Sequence, residues 1–197
     1  MLKRLFDILV SFFCLILLSP VLAVIALLIK LRMPGPVFFL QERVGSQGKH
    51  FRLYKFRSMS MEKETSKGSF DPGDNSRIVA LGRTLRKTKL DEFPQLVNVL
   101  KSEMSIVGPR PEIKKWTEIY PEKWAIVLTV KPGITDNASI EFRNEEKLLL
   151  QSTDPEETYR NVILPRKLDL YIDYVKNHTF KGDFVIILRT IKAVFFQ

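Results

Sequence analysis

A chain of 197 residues holds one compact domain of about 150 residues and an appendage, which excludes a second full domain. Its net charge of +9 and pI near 9.7 call for an anionic partner, whether nucleic acid, an acidic membrane face or a phosphorylated substrate. The single cysteine, Cys14, excludes an intrachain disulfide and a cysteine-held zinc and fits a reducing, cytosol-facing compartment.

The apolar residues crowd into the first thirty positions. Ile8 to Ile29 run for 22 positions without a charge, closed by Lys30 and Arg32, long enough for a helix to cross a hydrocarbon core of roughly 30 Å. A cleaved signal peptide fits poorly, because its apolar core is about 7 to 15 residues and a small-residue cleavage site should follow. A plain spanning helix is the reading from hydropathy alone. Against it stands Ser19-Pro20 in mid-run, where proline removes a backbone hydrogen bond and bends the helix. A helix broken there could enter the bilayer and return to the same face. Basic flanks prefer the cytoplasmic side, and Lys3 and Arg4 at one end with Lys30 and Arg32 at the other suit a re-entrant hairpin. The carbonyl groups freed near Pro20 then need partners, and Ser19 supplies one.

Beyond the apolar segment, residues 37 to 59 read as strand, turn and strand. Val37 to Leu40 leads to Gly45-Ser46-Gln47-Gly48, and Phe51 to Phe56 alternates with Arg52 and Lys55 on opposite faces. Residues 60 to 76 are polar and read as a mobile loop. From Ile78 to Leu100 the spacing is helical with a break at Leu90 to Pro94; 111 to 130 and 155 to 177 read as further helices. Phe184 to Phe196, interrupted by Arg189 and Lys192, suits a helix on a core or a lipid surface.

The chemistry concentrates in Thr88-Lys89-Leu90-Asp91-Glu92-Phe93-Pro94-Gln95. Read plainly, Thr88 caps a helix and Asp91 is its capping-box partner. Read functionally, two adjacent carboxylates beside Arg83, Arg86, Lys87 and Lys89 form an anion site with its own nucleophile. One carboxylate attacks phosphorus while its neighbour holds a divalent ion, and the cations hold the pyrophosphate. In Val107-Gly108-Pro109-Arg110-Pro111 two prolines fix the backbone around an arginine, either an ordinary rigid turn or an arginine set for one phosphate orientation. His50 and His178 lie in polar stretches and read as surface residues, and no glycine-rich phosphate loop occurs.

Six motifs in order over nearly the whole chain resemble the bacterial sugar transferases known as monotopic phosphoglycosyl transferases. They are Ser19-Pro20, Gln41-Glu42-Arg43-Val44-Gly45, Lys55-Phe56-Arg57-Ser58-Met59, Leu90-Asp91-Glu92-Phe93-Pro94-Gln95, Val107 to Pro111 and Lys131-Pro132-Gly133-Ile134-Thr135. The resemblance implies an α+β protein. A re-entrant membrane helix hairpin over 1–36, broken at Ser19-Pro20, would precede a small, mostly helical catalytic domain over 37–197, with a short β-hairpin and interfacial amphipathic helices. It implies the cytoplasmic face of a bacterial inner membrane and the start of glycoconjugate synthesis. It implies that Asp91 attacks the sugar-bearing phosphate of a UDP-sugar, releasing UMP, and that polyprenyl phosphate, of the undecaprenyl type, then takes the phosphosugar. Glu92 with Asp91 would bind Mg²⁺, and Lys55, Arg57, Arg86, Arg110 and Arg143 would contact phosphate or uridine. A homodimer is allowed.

The chain departs from the family after Thr135, reading Asp136-Asn137-Ala138-Ser139 where many members read Gly-Leu-Ala-Gln, although Arg143 remains. Many members also carry an acid where Tyr171 stands, with Asp169 two places earlier, and no role is carried onto either. Residues 60 to 76 and 136 to 150 are expected to shape donor choice. A membrane-anchored binder of anionic lipid or nucleic acid would explain the charge, yet it gains nothing from Asp91-Glu92. Clustered aromatics for stacking on bases are not evident, so no nucleic-acid partner is expected. A hydrolase would not need a membrane hairpin for a soluble product.

Overall fold

The computed structural model describes residues 2–60 and 78–195. The loop expected over 60 to 76 lies, from residue 61 on, outside the described residues. The chain is a mixture of helices with two small sheets, and it divides into two compact units. Among the described residues the first unit contains 2–41, 52–60 and 78–102, and the second contains 42–51 and 103–195. In the first unit the N-terminal helix shares a core with the segments on either side of the acids.

Helix α1, Leu2–Arg32, runs through Pro20 without the break expected at Ser19-Pro20. Proline 20 has no N–H to give the carbonyl four residues back, which is that of Ile16. The Ser19 hydroxyl donates to that carbonyl at 2.7 Å, so the group freed by the proline is satisfied, as the sequence led us to expect. Most of the helix lies open. Phe12, Phe13, Ile16, Leu17, Val21, Val24 and Leu27 are exposed, and Leu17, near the proline, reaches 78%. Only Asp7, Ser11, Ile25 and Ile29 are buried. A chain in water seldom leaves so wide an apolar surface open.

Strands β1, Phe38–Val44, and β2, His50–Phe56, form the expected hairpin. Its turn closes where Gly45 N–H donates to Lys49 O at 2.8 Å, with Gln47 and Gly48 both at positive φ. Helix α2, Ala80–Lys87, and α3, Gln95–Leu100, flank a 3-10 turn at Leu90–Glu92, so the break read at 90 to 94 is real. The first unit's core joins Ile25, Ile29 and Met33 to Phe56 and Leu85.

The second unit holds a parallel pair that the sequence did not reveal. Strand β3, Ser105–Val107, pairs with β4, Gly133–Thr135, in the register Ser105 to Gly133 and Val107 to Thr135. Two short helices, α4 at Lys114–Thr117 and α5 at Pro121–Val127, replace the single helix expected over 111 to 130, since Pro121 starts a new one. The stretch from 136 to 150 folds into α6, Asn137–Glu141, and α7, Glu145–Leu150. Helix α8, Pro155–Thr158, a π-helical turn at Tyr159–Ile163 and α9, Leu164–Asn177, follow one another, and α10, Phe180–Phe195, closes the described chain. The core here is Trp116, Trp124, Leu149, Tyr159, Leu164, Leu168 and Tyr171 with their neighbours.

Candidate active site

In the first unit the paired acids sit on a turn set up by α2. The Thr88 hydroxyl donates back to Thr84 O at 2.9 Å and Leu85 O at 3.2 Å, so it closes α2 and does not cap the helix ahead. The capping-box reading of Thr88 and Asp91 therefore fails. Lys89 then takes a left-handed conformation, φ 59°, which costs a side-chain-bearing residue about 1 kcal/mol and tends to occur at functional turns. That reversal turns Leu90-Asp91-Glu92 inward, leaving Asp91 only 7% and Glu92 only 9% exposed.

The two buried carboxylates are treated differently. Glu92 Oε1 accepts from Lys55 Nζ at 3.2 Å. The Oδ1 atom of Asp91 is buried and has no hydrogen-bond partner. Burial pushes the Asp91 carboxyl above its usual value, the Glu92 charge adds to this, and Lys55, Lys89 and Arg86 oppose it. An unpartnered oxygen in a setting of three cations is a poor resting place for a structural carboxylate. It suits a nucleophile or a ligand to a cation that arrives with substrate.

Lys55 is placed by a double clamp. Asn98 on α3 accepts from the Tyr54 N–H at 3.0 Å and donates to the Arg52 carbonyl at 2.7 Å, fixing β2 against the helix that follows the acids. Helix α2 approaches the end of β2 so closely that a Cβ on Gly82 would lie 1.8 Å from Ser58 O, which brings the half-buried Arg86 toward Asp91. Lys55, Arg86, Asp91 and Glu92 thus come together as the sequence suggested, with Lys89 as a further cation. Arg57 does not join them in the same way. It is buried and its guanidinium donates to Pro34 O at 2.7 Å and to Met33 O, stapling the chain that leaves α1.

Arg110 and Arg143 belong to the second unit. Arg143 is half-buried in the turn between α6 and α7. Arg110 leaves β3 between two buried prolines. The preceding Gly108 packs on Gly133 so tightly that a Cβ on Gly133 would lie 2.1 Å from Gly108 N. Beside it is a buried polar group. Glu112 meets Arg43 Nη1 at 3.0 Å and accepts from the Tyr159 hydroxyl at 2.6 Å. Burial alone would raise Glu112, but Arg43, Lys167, the Tyr159 hydroxyl and Arg110 together bring it below the usual value. Asp136 caps α6, accepting from Ser139 N–H at 2.9 Å and its hydroxyl at 2.6 Å, while burial raises its carboxyl. Buried Lys167 pairs with Glu145 and lies over the Tyr159 ring. The Tyr171 hydroxyl is buried without a hydrogen-bond partner.

Sequence reasoning missed Glu112, Asp136, Tyr159 and Lys167. Asp136 had a signal in the Asp-x-x-Ser cap at 136 to 139. Glu112 is paired with Arg43 and Tyr159 over separations of 69 and 47 residues, and Lys167 meets Glu145 on another helix, beyond any local pattern.

The whole chain, residues 1–197, matches the family described as bacterial sugar transferase. It belongs to that family. This sugar transferase is similar to the uncharacterized sugar transferase EpsL of Bacillus subtilis, 39% identical over 193 residues, which cover 98% of this chain and 87% of that one. It is 35% identical over 195 residues to the UDP-N-acetylgalactosamine-undecaprenyl-phosphate N-acetylgalactosaminephosphotransferase of Aeromonas hydrophila, covering 98% of this chain and 43% of the relative. It is 37% identical over 194 residues to the UDP-glucose:undecaprenyl-phosphate glucose-1-phosphate transferase of Escherichia coli, covering 97% and 39%. The transferase therefore spans less than half the length of those last two relatives.

Among the described residues no three His, Cys, Asp or Glu side chains gather as a ready metal site. A Mg²⁺ ion does not require one, because it commonly takes one or two carboxylates and completes its shell with phosphate oxygens and water. The unpartnered Asp91 oxygen beside Glu92 fits that donor set.

Proposed function

We propose that this sugar transferase moves a sugar 1-phosphate from a UDP-sugar to polyprenyl phosphate of the undecaprenyl type, releasing UMP and starting a membrane-borne glycoconjugate. The observation that carries this reading is the buried Asp91 oxygen without a partner, set among Lys55, Arg86 and Lys89. The names of the Aeromonas and Escherichia relatives supply the donor and acceptor classes.

In the first step an Asp91 oxygen attacks the phosphorus that bears the sugar. The bond from that phosphorus to the UMP oxygen breaks, and UMP leaves with the electron pair. Lys55, Arg86 and Lys89 offset the charge that builds on the phosphate oxygens. In the second step an oxygen of the acceptor phosphate attacks the same phosphorus, the bond to Asp91 breaks, and the carboxylate is regenerated. Asp91 must be ionised to attack, so the three cations matter twice, since they also oppose the rise that burial imposes on its carboxyl. Glu92 and Asp91 would hold Mg²⁺, which when bound supplies charge neutralisation at the phosphate oxygens.

The acceptor phosphate lies at headgroup depth, so the acids must too. A re-entrant α1 meets this need, and both of its ends are tied to one unit. Arg4 donates to the carbonyls of Val99, at 2.7 Å, and Leu100, while the far end is held by Arg57 at Met33 and Pro34. A straight helix of this length would be about 46 Å long. A segment that dips into the lipid around exposed Leu17 and returns on the cytoplasmic face of a bacterial inner membrane accounts for both attachments and for basic residues at both ends. Helix α10 exposes Phe184, Val185, Leu188 and Ile191 with Lys181, Arg189 and Lys192 nearby, which suits an interfacial helix.

The test is UMP release by the detergent-purified protein with Mg²⁺, undecaprenyl phosphate and a panel of UDP-sugars. Release with at least one donor, lost in Asp91→Asn and on chelation, supports the reading. Persistence of turnover in a folded Asp91→Asn protein removes the nucleophile on which the mechanism rests.

A further inference from the structure

We propose that Glu112 is a positioning residue for Arg110, acting with Arg43 and Tyr159 to hold the backbone of that arginine so that its guanidinium meets a nucleotide phosphate. The inference rests on the reading of Arg110 as a phosphate contact and goes beyond it, to the residues that would make such a contact possible.

Arg110 is held on both sides. Before it, the Pro109 carbonyl accepts from Gly133 N–H at 2.9 Å, and Gly108 N–H donates to Thr135 O at 3.0 Å. After it, Arg43 Nη1 donates both to the Pro111 carbonyl at 3.1 Å and to Glu112 Oε2 at 3.0 Å. Val44 N–H donates to Glu112 O at 2.9 Å, which ties the same point to the end of β1. The prolines at 109 and 111 fix φ on either side. The carbonyls of both prolines that flank Arg110 are therefore occupied, and the second of them depends on Arg43. Arg43, in turn, is oriented by the Glu112 carboxylate.

Stability alone is a weak reason for this arrangement. Glu112 is only 7% exposed and Arg43 only 9%. A buried ion pair of this kind is commonly no more stable than apolar side chains of the same volume, so its value lies in fixing one geometry. Tyr159 adds to that geometry. It starts the π-helical turn Tyr159–Ile163, an irregularity found frequently at functional sites, and it donates to the second Glu112 oxygen at 2.6 Å. The arrangement also gives Gln41-Glu42-Arg43-Val44-Gly45 and the glycine pair at 108 and 133 a shared purpose, which the reaction itself does not assign to them.

The experiment measures UMP affinity by calorimetry on the purified full chain, with turnover alongside, for Arg110→Ala, Glu112→Gln, Tyr159→Phe and each of the last two combined with Arg110→Ala. Arg110→Ala should weaken UMP binding about ten- to hundredfold, as expected for loss of a charge-assisted contact. Glu112→Gln should weaken it several-fold and Tyr159→Phe less, while neither adds to the loss once Arg110 is gone. Losses that multiply in the double variants would mean that Glu112 acts independently of Arg110 and would overturn the inference. If Glu112→Gln does not fold, Tyr159→Phe decides, since its ring keeps its place against Trp116. UMP affinity and turnover unchanged in Arg110→Ala would remove the phosphate contact itself and this inference with it, whereas an impaired Arg110→Ala with multiplying partners removes the inference alone.

Discussion

Gly133→Ala tests how closely activity depends on the β3–β4 pair. A Cβ at this position would lie 2.1 Å from Gly108 N, 2.4 Å from Gly108 O and 2.6 Å from Gly108 Cα, all backbone atoms that no side-chain rotation can clear. Ordinary contact begins near 3.4 Å, so the two strands must part by about 1 Å, far more than a packed core absorbs freely. The hydrogen bonds that cross this seam include Ser105 N–H to Pro132 O at 2.8 Å, Gly108 N–H to Thr135 O at 3.0 Å and Gly133 N–H to Pro109 O at 2.9 Å. Stretched by that amount they pass out of bonding range, and at about 1 kcal/mol each the loss is about 3 kcal/mol. The melting transition, followed by fluorescence of Trp116 and Trp124 in the core of the same unit, should fall by roughly 6–12 °C. Because Pro109 precedes Arg110, UMP release should fall by on the order of a hundredfold, the usual result of misplacing a substrate contact by about 1 Å. Gly48→Ala is the control. Its φ is +71° with nothing within 4 Å of the added carbon, so it should cost about 1 kcal/mol and leave the rate alone. A Gly133→Ala protein that melts within a few degrees of the parent and turns over within twofold of it would refute the reasoning.

Cysteines placed singly at Leu2 and Leu31, both exposed, in a Cys14→Ser background should be labelled by an impermeant reagent from the same side of sealed vesicles; labelling from opposite sides would establish a spanning helix. Arg57→Lys should lower the stability of the first unit by about 1–3 kcal/mol through loss of the forked contact to Met33 and Pro34, with little change in KM for the donor. A large rise in KM at unchanged melting temperature would restore Arg57 to the phosphate site. Burial and neighbouring acids hold the hydroxyls of Tyr159 and Tyr171 well above the ordinary tyrosine value. The unfolded chain releases these protons near pH 10 while the folded one keeps them, so the stability they support is intact below that pH and lost as pH rises beyond it. Tyr171→Phe, which removes a buried hydroxyl with no hydrogen-bond partner, should leave stability at pH 7 equal or higher and soften the alkaline loss; an unchanged alkaline profile would count against this.

The legible parts of the fold are those governed by neighbours in sequence. Ser19-Pro20 announced both a freed carbonyl and its replacement donor, and the Ser19 hydroxyl reaches that carbonyl. The β1–β2 hairpin was written in alternation and a glycine turn. The break between α2 and α3 was visible at Leu90 to Pro94, yet its cause was not, because a lysine rather than a glycine takes the left-handed step. The same step misled the reading of Thr88, which has the residue type of a cap at a helix start and serves instead at a helix end. Strands β3 and β4 are three residues each and carry too little alternation to be seen.

Charge was the least legible property, because a sequence gives its sign and not its partner. Lys55 and Arg57 stand two residues apart, at and just past the end of β2, and the resemblance implies for both a contact to phosphate or uridine. The lysine meets Glu92 beside the unpartnered aspartate, while the arginine turns to two backbone carbonyls at the exit of α1. Alternation in a strand sends residues two apart to the same face, so the pattern itself could not separate them. What separates them is the chemistry that each terminus prefers. A planar fork matches two adjacent carbonyls, and a compact ammonium matches a single carboxylate oxygen that a phosphate could later replace. In the first unit Lys55 thus meets a carboxylate beside Asp91, whereas Arg57 braces the backbone where the chain leaves α1.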